Sequence, residues 1–344
     1  MDSDPFTLTN GTRQGSVISP ALWCIYLDGL LWELRKRKLG CFVRGLWMGA
    51  CAYADDLLCL APTRLVLQKM MEVCEQYGRE HNLVFSTDPV PSKSKTKGIF
   101  FCGEKTRARI KYPDKVLLNG EELPWEVTGE HLGHTLHQDG TMEQDARVRR
   151  ARYIDRSVDI RENMQFAGSG MVMKAHDIHC CDAYGAMLWK LRGKGAESFF
   201  KAWNTAVKLT NRVPRSTFTY LVEGFFASDH VTLRNQVLGR YAGFLQGLLT
   251  SPSPEVQLLA RVVISTPMST TRNNIDYIKE LTGFSPHYYT SAMVKAALPV
   301  QNVPDNEKWR LGLLSALIEQ RCYQYKNQIK QDQTNLMIDS LCSS

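Results

Sequence analysis

The stretch AYADDLLCLAP, residues 52–62, sets two aspartates side by side inside an otherwise apolar run. Adjacent carboxylates repel each other, and burying either one unpaired costs several kcal/mol. The run must therefore break at Asp55 and Asp56, leaving an apolar strand on each side and the carboxylates at the tip of a hairpin. Strand alternation sends Tyr53 and Asp55 to one face and Ala54 and Asp56 to the other. Aspartates in turns commonly cap backbone amides. Here Leu57-Leu58-Cys59-Leu60 is poor turn composition, because it commits the flank to a core. The chemical alternative is metal binding. Mg²⁺ is held by one or two carboxylates plus substrate phosphates. Two such ions about 3.5–4 Å apart stabilise the entering and leaving oxygens of an in-line phosphoryl transfer.

The surroundings read as mixed strand and helix. Phe6–Thr9 is strand-like, and Asn10-Gly11 is a turn signal. Ser19-Pro20 reads as an N-cap with proline at the first helical position. The helix that follows spaces Trp23, Tyr26, Leu27, Leu30, Leu31 and Leu34 by three or four residues and ends in Arg35–Lys38. Phe42–Trp47 and Cys51–Leu60 are strand-like, and a helix over about 64–82 buries Leu67, Met70, Met71, Cys74 and Tyr77. A proline- and lysine-rich loop, 88–97, runs into a strand at Gly98. Short strands with Asn119-Gly120 between them continue to His137.

From about residue 143 the pattern turns helical. It starts with Arg147, Arg149, Arg150, Arg152 and Arg156 and continues through helices at 171–191 and 196–209 and others to about 248. TSPSP, 250–254, reads as a linker or sharp loop. A last amphipathic helix carries Trp309, Leu313, Leu314, Leu317, Ile318 and Tyr325. Trp189, Phe199, Phe200 and Trp203 read as core rather than as base-stacking platforms. In HDIHCC, residues 176–181, His176, His179 and Cys180 share a helix face, but no second pair of ligands stands nearby, and helix packing is the default.

At 344 residues the chain has room for about two domains. Its net charge of +7 permits a polyanionic partner without requiring one. The ten cysteines are scattered, with no CxxC pair, as expected of reduced thiols in the cytoplasm or nucleus. The first residues lack the basic and apolar regions of a signal peptide. No apolar run approaches the roughly 18 residues of a membrane span, so no membrane partner is expected. A start on FTLT followed at once by a turn reads as entry into a fold midway.

Four motifs carry a family resemblance. Tyr53-Ala54-Asp55-Asp56 is the YADD form of the reverse transcriptase active-site hairpin. Upstream, NGTRQGSVISP (10–20) resembles the RQG motif of non-LTR (LINE-type) retrotransposon reverse transcriptases. Downstream, SKSKTKGIFF (92–101) resembles the lysine-bearing palm motif, and HLGHTL (131–136) the primer-grip hairpin. The order and close spacing of the four, over about residues 5–137, make the likeness specific. More weakly it extends through AYGAMLW (183–189) and VPRSTFTYLV (213–222).

The resemblance implies an α+β fold. A partial reverse transcriptase palm, an antiparallel sheet with packed helices, would span 1–140. A helical thumb-like region would follow over 141–250, and a helical C-terminal extension over 251–344. It implies template-directed DNA synthesis with Mg²⁺, or Mn²⁺, as cofactor and an RNA template, DNA primer and dNTPs as partners. Asp55 and Asp56 would hold metal, with Asp55 ranked first. Gln14, Gly15 and Tyr53 would line the nucleotide and template pocket, and Arg13 would lie near phosphate. Lys93 or Lys95, two residues apart, would stand near the leaving pyrophosphate. Leu132 and Gly133 would position the primer's 3′ end. The basic helix, through Arg147, Arg149 and Arg150, would follow the nucleic-acid backbone.

The family's first catalytic aspartate lies on a strand before the RQG motif. Asp2, Asp4 and Asp28 are the acidic residues near it, none in the family's surrounding pattern. The expectation is a truncated chain without the N-terminal palm and fingers or the endonuclease regions of a parent polyprotein, impaired in catalysis. Its rival is a non-catalytic nucleic-acid-binding remnant that uses the basic thumb.

Overall fold

The structure, a computed structural model, describes residues 15–88, 90, 93–103, 115–165, 167–180, 183–226 and 232–283, with positions 285, 286, 293, 294, 305, 310, 313, 314, 318 and 331. The strand expected at 6–9, Asn10-Gly11, Arg13, Gln14, Trp309, Leu317 and Tyr325 lie outside the described residues. Two compact units, 1–141 and 142–344, divide the chain.

In the first unit, helix α1 (Ser19–Lys36) begins one residue earlier than the Ser-Pro signal suggests. Ile18 is its N-cap, with no side-chain cap hydrogen bond, and Pro20 falls within the first turn, where a missing N–H costs nothing. Helix α2 (Arg64–Glu80) is capped by Thr63, whose Oγ1 accepts the Val66 N–H at 3.3 Å. Leu27, Leu30 and Leu34 of α1 form one core with Met70, Met71, Cys74 and Tyr77 of α2. Burying each such leucine contributes about 1.5–3 kcal/mol.

Between and after these helices lie four hairpins, each closed by a two-residue turn. They are β1–β2 (Phe42–Val43 with Leu46–Trp47), β3–β4 (Ala50–Tyr53 with Asp56–Cys59), β6–β7 (Leu117–Leu118 with Glu121–Glu122) and β9–β10 (Thr128–His131 with His134–His137). Arg44-Gly45, Asn119-Gly120 and Leu132-Gly133 have positive φ at both turn positions, the type I′ pattern that matches strand twist. Strand β5 (Gly98–Ile99) pairs in parallel with β8 (Trp125–Glu126). Among the described residues the mixed helix-and-strand character expected of an α+β fold is present, and the strands form separate two-stranded sheets, four antiparallel and one parallel. The strands are two to four residues long, and each hairpin closes on its own turn.

The second unit is helical: α3 (Glu143–Asn163), α4 (Ser169–His179), α5 (Lys194–Thr210), α6 (Thr219–Phe226), α7 (Leu233–Leu249), α8 (Pro254–Ser265) and α9 (Thr270–Thr282). Its core gathers Tyr153, Trp189, Phe199, Trp203, Tyr241 and Ile275, the expected packing role for Trp189, Phe199, Phe200 and Trp203. Periodicity alone extends a helix to 191, but α4 stops at His179. Gly185 turns left-handed (φ 75°) before a single 3₁₀ turn, Ala186–Leu188. That turn seats Trp189, whose Nε1 donates to buried Asp145 Oδ2 at 2.7 Å. Buried Asn274 accepts the Leu191 N–H at 2.9 Å and donates to the Trp189 carbonyl at 2.8 Å. These contacts from distant helices outweigh local helix propensity. TSPSP is the sharp loop between α7 and α8, and its end also starts the second helix, for Ser253 Oγ accepts the Val256 N–H and Pro254 opens α8. No helix among the described residues is long and apolar enough to cross a membrane.

Candidate active site

The β3–β4 hairpin is fixed at its base and exposed at its tip. At the base, the Leu60 N–H donates to Gly49 O at 2.7 Å and the Cys41 N–H to Leu60 O at 2.9 Å. Gly40, at φ 107°, lets the chain pass there, since a Cβ would lie 2.2 Å from the Gly49 Cα. Cys59 and Cys74 share a thiol–thiol hydrogen bond between β4 and α2. The bond to Cys74 holds the Cys59 thiol below its usual range, while the same bond and burial push Cys74 up.

At the tip, Tyr53 pairs directly with Asp56, and Ala54-Asp55 form the turn. Directly opposed residues share a face. Tyr53 therefore sides with Asp56, and the strand alternation expected across all four residues fails because the turn interrupts the pleat. Tyr53, Ala54, Asp55 and Asp56 are all exposed.

The turn carries strain. Ala54 has φ 50°, a region that costs an L-residue roughly 1–2 kcal/mol. Its carbonyl accepts the Trp23 Nε1–H of α1 at 2.6 Å. Trp23 reads from the sequence as one apolar position among several on a helix. The one hint of its second role is that an indole N–H seeks an acceptor.

The other expected site residues are dispersed. Gly15 is exposed with φ 82°, a conformation that favours glycine, although a Cβ would meet nothing within 4 Å. Lys93 and Lys95 are exposed, and no hydrogen bond or ion pair joins either to Asp55 or Asp56 among the described residues. Neighbouring Lys97 is engaged with Glu126 at 3.3 Å. Leu132 and Gly133 form the β9–β10 turn, at φ 48° and 74°.

On α3 the three arginines part company. Arg147 and Arg150 are exposed, whereas Arg149 is 6% exposed, with its Nε 3.9 Å from Asp145 Oδ1 and its guanidinium over the Tyr184 ring. Helical spacing turns Arg149 inward with Asp145, Tyr153 and Ile160, so its placement is in the packing and not on the charged face.

His176 is buried and bonded through Nε2 to the Tyr153 hydroxyl at 2.9 Å, and Cys180 Sγ accepts from Ser157 Oγ. The packing reading of HDIHCC fits that arrangement. Among the described residues no group of three or more His, Cys, Asp or Glu side chains converges on a metal position. Asp55 and Asp56 are nonetheless a hard-oxygen donor pair open to solvent, which suits Mg²⁺ when phosphate oxygens and water complete its shell.

Sequence reasoning overlooks a basic cleft of about 600 Å³ in the second unit, lined by Arg161, Lys208, Arg212 and Arg215 with one carboxylate, Glu162. Only the spacing of Lys208, Arg212 and Arg215, by four and then three residues, hints at it.

The hairpin lies inside a stretch that resembles a known family. Residues 2–132 match the family model of reverse transcriptase (RNA-dependent DNA polymerase). The match takes in the RQG, YADD and lysine motifs and ends at Leu132 in the β9–β10 turn. No curated protein matches the chain.

Proposed function

We propose that the chain is a non-LTR retrotransposon reverse transcriptase whose Asp55–Asp56 hairpin holds the divalent cations for template-directed DNA synthesis. The observation that carries the reading is a strained, anchored turn presenting two adjacent exposed carboxylates within the stretch that matches the reverse transcriptase family. Nothing in hairpin stability calls for paired aspartates there, since like charges at a tip oppose folding. On this reading residues 1–140 serve as the palm, the helices of 141–250 as the thumb and 251–344 as an extension. The substrates are an RNA template, a DNA primer and dNTPs.

Mg²⁺ or Mn²⁺, when bound, lowers the cost of charge on the attacking and leaving oxygens of the phosphoryl transfer. Asp55 and Asp56 supply the anionic ligands, and Trp23 and the Cys59–Cys74 contact hold the hairpin in one orientation. Tyr53, on the Asp56 face, flanks the incoming nucleotide, and Gly15 leaves its backbone open to the template base pair. The Leu132-Gly133 turn guides the primer end. Lys93 or Lys95 reaches the leaving pyrophosphate, its mobile ammonium neutralising developing charge.

Primer extension on an RNA template with Mg²⁺ or Mn²⁺ tests this. The wild-type chain is expected to extend the primer, and Asp55→Asn to lose about a hundredfold or more in rate. Equal extension by both sinks the reading. The exposed Arg147 and Arg150 favour one alternative, a non-catalytic nucleic-acid-binding module. Salt-dependent RNA–DNA binding with no synthesis at all supports it.

A further inference from the structure

The cleft in the second unit is built where two helices end. Arg161 and Glu162 stand in the last turn of α3, Lys208 in the last turn of α5, and Arg212 and Arg215 in the segment that follows α5. Cations at helix C-termini often do no more than satisfy the final carbonyls, and two of the four are occupied with backbone carbonyls here, those of a helix end or of the loop beside it. Arg212 donates to the carbonyls of Gln165 at 3.1 Å and Arg161 at 3.2 Å. Lys208 donates to the carbonyls of Arg215 and Thr217. Their charge is held in place without being neutralised, because a carbonyl is a dipole and not an anion.

Arg161 and Arg215 have no such employment. Among the described residues, their guanidinium groups have no hydrogen-bond or ion-pair partner and Glu162 is the sole carboxylate on the lining. Burial lowers the Lys208 pKa, so an anion in the cleft would restore proton affinity that the protein alone withholds.

We propose that this cleft binds the phosphodiester backbone of a nucleic-acid strand, with Arg161 and Arg215 as the contacting groups and Arg212 and Lys208 as fixed background charge. The size favours a strand over a single small anion, since about 600 Å³ lies within the range of organic-ligand pockets. Among the described residues its apolar lining is Leu209 and Val213, with no ring on which a base could stack, which favours recognition of backbone over sequence. The choice of nucleic acid among polyanions rests on the reverse transcriptase reading; the charge arrangement does not.

Fluorescence anisotropy with a labelled single-stranded RNA of about 16 nucleotides tests it on the full chain. The double variant Arg161→Gln/Arg215→Gln, at positions without side-chain partners, is expected to bind about tenfold more weakly. Its log–log salt slope should be shallower by about 1.4, or 0.7 for each lost contact. Glu162→Gln, which removes the opposing carboxylate, is expected to tighten binding. A double variant that binds as the wild type does overturns the site. Inorganic tripolyphosphate competing as well as the oligonucleotide, at equal phosphate, overturns the nucleic-acid assignment. Asp55→Asn separates the two claims, because loss of the catalytic reading leaves oligonucleotide binding and its dependence on Arg161 and Arg215 unchanged.

Discussion

Ala54 shows how much one residue can demand of its neighbours. Its positive φ is unfavourable for any side chain but glycine, and the indole of Trp23, 31 residues earlier, donates to its carbonyl. The hydrogen bond is partly exposed, so removing it should cost only about 1 kcal/mol of stability. Trp23→Phe is therefore expected to lower the thermal midpoint by only a few degrees and yet lower primer extension about fivefold, with a raised Mg²⁺ requirement, because the carboxylates lose their fixed orientation. Adding Ala54→Gly, which removes the strain that the indole opposes, should recover part of the loss. Unchanged extension by Trp23→Phe would show that the hairpin holds itself. At this scale the sequence reveals conflict better than it reveals partners. Asp55 and Asp56 stand out because two adjacent charges in an apolar run violate burial rules. Trp23 and Arg149 do not, since nothing local tells which acceptor an indole will find or which way one arginine in a run of them will turn.

Elements were legible where local chemistry decides them. Asn119-Gly120 closes its hairpin as its composition demands, and α2 begins at the threonine that caps it. The Ala54-Asp55 turn contains no glycine and follows only from the charge argument. The end of α4 could not be read, because Asp145 and Asn274, 44 and 85 residues away from Trp189, hold the segment that follows. A similar long-range tie joins α7 to α9. The Tyr241 hydroxyl donates to Thr271 O at 3.3 Å, and burial pushes its pKa up to about 12. An unfolded tyrosine ionises near pH 10. The folded chain thus keeps a proton that the unfolded chain releases, so this contribution is complete below about pH 10 and is lost as pH rises toward 12. Tyr241→Phe should cost about 1 kcal/mol near neutrality, through its lost hydrogen bond. The gap from wild type should close by about pH 11, as urea denaturation at the two pH values would register. A gap that stays constant with pH would place the hydroxyl in water.

For the molecule as a whole, the change from short strands to helices near residue 143 falls beside the division between the compact units, 1–141 and 142–344. The pattern is readable there because the hydrophobic period itself changes from two to nearly four. The helices on either side of residue 250 give no such signal. Tyr241 and Leu245 before it and Ile275 and Ile278 after it lie in a single core, despite the prolines between. Each unit has its own apolar cluster, and each cluster should answer for its own unit. Leu30 and Phe199 are both fully buried, one in each. Leu30→Ala should cost about 2–5 kcal/mol and Phe199→Ala about 3–5 kcal/mol, through lost burial and the cavity left behind. Amide hydrogen exchange followed by mass spectrometry would locate the damage. Leu30→Ala is expected to accelerate exchange in α1 and α2 while α5 and α7 keep their protection, and Phe199→Ala to do the reverse. If either substitution accelerated exchange equally in both sets of helices, the two clusters would be one cooperative core. The reverse transcriptase reading of the first unit would then have to be tested on a fold that stands or falls with its helical half.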